Sequence, residues 1–132
     1  MSRAFAPLLL VFALAACGQG EFRISGTITI ASQLRPKVPE ANGVLFVIAK
    51  NRGGVPVAVR RIVNPQFPVS FTMTAEDLLV PELKGAGALR LEVQMNTHGN
   101  VGAPVKGDLG GVHLDGVRPR ERGVHIVIDR QL

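Results

Sequence analysis

The sequence predicts an all-β fold: an antiparallel two-sheet sandwich of about seven strands with one short helix. Three observations lead there. Short runs of β-branched and aromatic residues recur along the chain, several of them alternating apolar and polar with the period of a half-buried strand. Turn formers separate these runs, with 15 Gly and 9 Pro in 132 residues. The one helix-start signal, Thr74 with Asp77 three residues later, is cut off by Pro81 within about two turns.

The elements follow in order. Ile24 to Ala31 alternates, with Ile24, Gly26, Ile28 and Ile30 on one side and Ser25, Thr27 and Thr29 on the other. Residues 32–42 hold Pro36 and Pro39 and cannot continue a ladder, so they read as an extended surface connection. Val44 to Ala49 and Pro56 to Val63 are apolar strand runs, expected side by side in the middle of the fold and joined by the turn Asn51-Arg52-Gly53-Gly54. Phe67 to Met73 alternates next, with Pro68 marking an edge or a strand start. Phe46 and Phe71 are expected to point into one core from neighbouring strands.

Ala88 to Met95 is the cleanest alternation, Leu89, Leu91, Val93 and Met95 inward against Arg90, Glu92 and Gln94 outward. Asn96 to Gly111 is Gly-rich and reads as one long loop, with Gly107-Asp108-Leu109-Gly110-Gly111 as a tight turn or bulge. Val112 to Val117 and Val124 to Arg130 complete the strands, linked by residues 118–123. Trp and Tyr are absent, so the core is aliphatic plus Phe.

The N-terminus carries a different message. Arg3 precedes an apolar stretch from Ala4 to Ala16, too short to span a bilayer and the right length for the hydrophobic part of a signal peptide. It ends Leu14-Ala15-Ala16-Cys17-Gly18, which resembles the lipobox of bacterial lipoproteins. The resemblance implies acylation of Cys17, the single cysteine of the chain, and division into a signal peptide (1–16), a lipidated Cys with a short tether (17–23) and a folded domain (24–132). By resemblance to enterobacterial sorting patterns, Gly18 in place of Asp implies the outer membrane, facing the periplasm, over retention in the inner one. No later apolar run approaches the roughly 20 residues of a spanning helix.

No catalytic group emerges. There is no GxSxG, and the serines have no His near them in sequence. Gly107 to Gly111 lacks the Lys-Ser/Thr of a phosphate loop. His98, His113 and His125 with Met73 and Met95 match no copper-ligand spacing and read as solvated histidines and core methionines, so neither metal nor cofactor is expected. The net charge is +5, and Arg118, Arg120 and Arg122 form a basic turn, with Arg60-Arg61 a second small cluster. Without interleaved aromatics this does not suggest nucleic acid; a solvated turn is the default reading, and an acidic partner or anionic head groups are the binding alternative.

The central stretch carries a family resemblance. Gly43, the LFVIA core from Leu45 to Ala49, the Gly-rich turn, Pro56-Val57-Ala58-Val59-Arg60-Arg61, Phe67-Pro68 and Gly107-Asp108-Leu109-Gly110 together resemble the C-terminal Ig-like periplasmic domain of the CcmH/CcmI family of c-type cytochrome biogenesis proteins, over about Thr27 to Asp129. The resemblance implies an Ig-like sandwich and a binding or accessory role, with apocytochrome c or cytochrome maturation proteins as partners. The larger members carry transmembrane helices and helical repeats that are not in this sequence. A structural lipoprotein serving another envelope partner is the alternative. With no chemical site, function is expected at the long loop, through Asn96, His98, Asn100, Lys106 and Asp108.

Overall fold

The computed structural model describes residues 21–81 and 87–132; the signal-peptide segment, Cys17 and residues 18–20 lie outside the described residues. Among the described residues eight strands form: β1 (Arg23–Ile30), β2 (Val44–Lys50), β3 (Pro56–Val63), β4 (Val69–Thr74), β5 (Arg90–Asn96), β6 (Leu109–Val112), β7 (Arg120–Ile128) and β8 (Arg130–Gln131). They make two sheets, a three-stranded one in the order β4-β1-β7 and a five-stranded one in the order β3-β2-β5-β6-β8. The sandwich expected from the alternation is present. Phe22, assigned above to the tether, is buried in the core, so the fold begins earlier than residue 24.

The turn between β2 and β3 forms as its residues dictate. Asn51 Oδ1 accepts the N–H groups of Gly53 (2.9 Å) and Val55 (3.0 Å), and Gly54 takes a positive φ of 77°. An Asn side chain closing on its own backbone with Gly at the left-handed position is what reverses the chain here.

Several expectations need correction. The pairing is not wholly antiparallel, because β1 and β7 run parallel. These strands come from opposite ends of the chain, and nothing local in either announces direction. One extra residue in β7 shifts the register between Ile24 and Gly26, with Gly123 at φ 72° inside the bulge. Gly123 is therefore part of a strand and not of a linker. Opposite it, a Cβ on Gly26 would overlap the Val124 carbonyl oxygen, so only glycine fits.

Among the described residues no α-helix follows Thr74. Asp77 Oδ2 does accept the Thr74 N–H at 2.9 Å, but the result is a single 3-10 turn, Ala75–Asp77, because Leu78 is drawn out into a bridge with Ala58. A second 3-10 segment, Ser32–Lys37, stands where an extended connection was expected, and it buries Leu34. The strand placed at Val112 to Val117 lies earlier, at Leu109–Val112, leaving only an isolated bridge between Val117 and Leu89.

The two sheets enclose one main core, including Ile24, Ile28, Leu45, Val47, Phe71, Met73, Leu91, Val93, Met95, Ile126 and Ile128. Phe46 is not part of it. Alternation along β2 puts Leu45 and Val47 inward and Val44, Phe46 and Ile48 on the opposite face, where they form a separate buried cluster with Val59 packed against it. Phe46 and Phe71 thus belong to different layers. β2 is buried on both faces and central, whereas β3 is an edge strand and not a second central one.

The two flanks of the sandwich are finished differently. On one, β6 bends onto β7: Asp129 N–H donates to the Gly110 carbonyl at 3.0 Å, and a Cβ on Gly111 would overlap the Val127 carbonyl oxygen. On the other flank lie the outer edges of β3 and β4.

Candidate functional site

The long loop is shorter than its glycines suggested, residues 97–108, because Asn96 still belongs to β5 and Leu109 already opens β6. Asn96 is 3% exposed and works as a clamp: its Oδ1 accepts the Gly99 N–H at 2.9 Å while its Nδ2 donates to the Asn100 carbonyl at 2.9 Å. At the far end Asp108, 5% exposed, accepts the Val105 N–H through Oδ2 at 2.9 Å, and its own N–H returns to the Val105 carbonyl at 3.0 Å.

His98 ties the two ends together. Its Nε2 lies 3.0 Å from Asp108 Oδ2, and its Nδ1 lies 3.3 Å from the Asn100 amide nitrogen. The amide can only donate, so Nδ1 is the acceptor and Nε2 carries the proton donated to the carboxylate. Gln94 Nε2 reaches the Gly102 carbonyl at 3.2 Å, and Leu132 N–H donates to the Asp108 carbonyl at 2.7 Å. A buried carboxylate is costly unless hydrogen bonds compensate it, and here two donors do.

The structure therefore brings Asn96, His98, Asn100 and Asp108 together, as one self-bonded unit. Asn96, His98 and Asp108 hold the loop, and Asn100 contributes its backbone. Lys106 is exposed and lines a cleft of about 360 Å³ with Lys37, Pro39, Met95, His98 and Leu109 among its walls. Lys37 was not anticipated, since the segment after β1 was read only as a connection. Asp108 beside Gly107 could have been read as a backbone clamp, because Asp among turn residues commonly bonds neighbouring N–H groups.

The other singled-out groups are scattered. His113 Nδ1 lies 3.1 Å from the His125 carbonyl, and His125 Nε2 lies 2.9 Å from Thr29 Oγ1, while Met73 and Met95 are in the core. Among the described residues no group of three or more His, Cys, Asp or Glu converges as a metal site would. What the arrangement does show is an end of the sandwich held by hydrogen bonds among its own residues.

Comparison with known proteins gives the geometry a family. The chain is 32% identical over 89 residues to an uncharacterized protein of Aquifex aeolicus (strain VF5), a match covering 67% of this chain and 59% of that one. The chain thus spans only about three-fifths of that relative's length. The solved structure of an alternative pilotin from the type II secretion system of Vibrio cholerae is similar in fold, with a TM-score of 0.52 at 11% identity, covering 82% of this chain and 96% of that one. Residues 24–129 match the model of the cytochrome c-type biogenesis protein H Ig-like domain. The chain belongs to that family of Ig-like domains of c-type cytochrome biogenesis.

Proposed function

We propose that this domain is a non-catalytic binding module, an accessory factor that recognises a c-type apocytochrome or a cytochrome maturation protein. The observation that carries the reading is the family match over residues 24–129, nearly the whole folded unit. The end formed by residues 97–108 supports it: a loop whose polar groups are bonded to one another presents Lys106, Asn100 and the cleft beside Lys37 without further ordering. Such pre-organisation lowers the entropic cost of binding. The lipobox-like Leu14 to Gly18 supports an anchor at Cys17, which would hold the domain within about 14 Å of the membrane, facing the periplasm and most suitably the outer membrane.

The test is capture. Full-length protein extracted in detergent should retain a c-type apocytochrome or a maturation protein from envelope extract, and a loop shortened between Val101 and Pro104 should retain less at an unchanged melting temperature. Cys17→Ser should release the protein from the membrane fraction or leave it uncleaved. The pilotin likeness favours a second reading, an interaction lipoprotein for a different envelope partner, since one fold serves many functions. Reproducible capture of some other envelope component, with no cytochrome or maturation protein, would decide for it.

A further inference from the structure

The β3 edge is an unfinished hydrogen-bonding surface. Asn64 N–H donates to the Gly43 carbonyl at 2.7 Å, so the backbone of Asn64 faces β2. Alternation in an antiparallel pair then turns Ile62, Arg60 and Ala58 toward β2, and Val63, Arg61 and Val59 outward. The outward assignment agrees with Val57, whose carbonyl accepts the Leu79 N–H at 2.8 Å from the far side. That contact and the Ala58–Leu78 bridge cover only the start of the strand. Among the described residues no strand pairs with Val59–Val63 on the outer side.

We propose that this edge receives an extended segment of a partner polypeptide, added as a sixth strand and carrying an Asp or Glu opposite Arg61. The register from Ala58 to Val63 is continuous, with neither a bulge nor a proline to spoil it. An added strand meets apolar surface on both faces: Val63, 58% exposed, and Val59 on the outer one, Ile62 on the inner one.

Charge selects the occupant. Arg60 lies 3.6 Å from Asp77, and on the outer sheet face Lys50 and Arg90 share Glu92 at 2.7 and 3.2 Å, but Arg61 is exposed and has no ion-pair partner among the described residues. Two copies paired about a twofold axis at Arg61 would set Arg61 against Arg61, and like charges directly opposite are destabilising. A chain with a net charge of +5 adds repulsion at longer range. Arg61 therefore disfavours a second copy in that register while favouring an acidic strand, and backbone pairing supplies the affinity. The inference rests on the reading of the domain as a binding module and names the kind of segment that one of its surfaces takes.

The test uses the full-length protein in detergent and a short fluorescein-labelled peptide of alternating Val and Thr with a central Glu. Fluorescence anisotropy should show saturable binding. Arg61→Glu should weaken it by about tenfold or more and prefer the same peptide with Lys in place of Glu. N-methylation of the peptide amides on one edge should abolish it, and an unchanged melting temperature shows that the variant is folded. Equal binding of the N-methylated peptide, indifference to Arg61→Glu, no binding, or a dimer in sedimentation that Arg61→Pro dissolves would each overturn the proposal. If the peptide fails while cytochrome capture persists, the edge is discarded and the binding module stands; the reverse result discards the cytochrome reading alone.

Discussion

Residues 97–108 and the outer half of β3 are both exposed stretches of an Ig-like sandwich, but they dispose of their backbone polar groups in opposite ways. The loop pairs the N–H groups of Gly99, Asn100 and Val105 and the carbonyl of Asn100 with its own side chains, those of Asn96, His98 and Asp108. At the edge, no strand among the described residues pairs with the outward backbone groups of Arg61 and Val63. The contrast teaches that an irregular segment can be rigid while a regular strand is the adaptable surface, because what matters is where the hydrogen bonds go and not which element makes them.

The largest effect expected is at Phe46, which lies across from Arg61 and buries the outer face of β2. Phe46→Ala should cost about 3 to 5 kcal/mol in urea unfolding, the usual range for a buried Phe, and should loosen the β3 edge while the 97–108 loop keeps its bonds. A change too small to measure would mean that the outer cluster adds nothing. On the opposite flank, Gly111→Ala must push β6 off β7 and should cost about 3 kcal/mol, a large part of a typical total of about 5 to 15 kcal/mol.

The local features were legible where chemistry and sequence distance are both short. The turn at Asn51, the alternation of β1 and β5 and the Thr74–Asp77 contact all involve neighbours. The parallel pairing of β1 with β7 was not, because it joins residues about a hundred positions apart and strand residues carry no mark of direction. β6 was hidden by its own glycines: Gly110 and Gly111 were read as a turn, whereas Gly111 serves the close approach to Val127. At the loop the residues expected to make contacts also bond one another, which sequence spacing does not show, since the His98–Asp108 contact spans ten positions and only the fold brings the two side chains together.

Smaller effects separate the two regions further. Asp108→Ala removes the acceptor of Val105 N–H and of His98 and should cost about 1.5 to 3 kcal/mol in thermal unfolding, the usual worth of hydrogen bonds to a charged group. Arg61→Thr should change stability by no more than about 0.5 kcal/mol, as for an exposed site with no ion-pair partner among the described residues. If Arg61→Thr proved as damaging as Asp108→Ala, the edge would not be free.

Amide hydrogen exchange, resolved residue by residue, tests the contrast most directly. In the free protein the amides of Gly99 and Val105 should be protected and those of Arg61 and Val63 should exchange rapidly; adding the acidic peptide should slow Arg61 and Val63 and leave the loop as it was. Rapid exchange at Gly99 and Val105, or protection of Arg61 and Val63 before any peptide is present, would contradict the account.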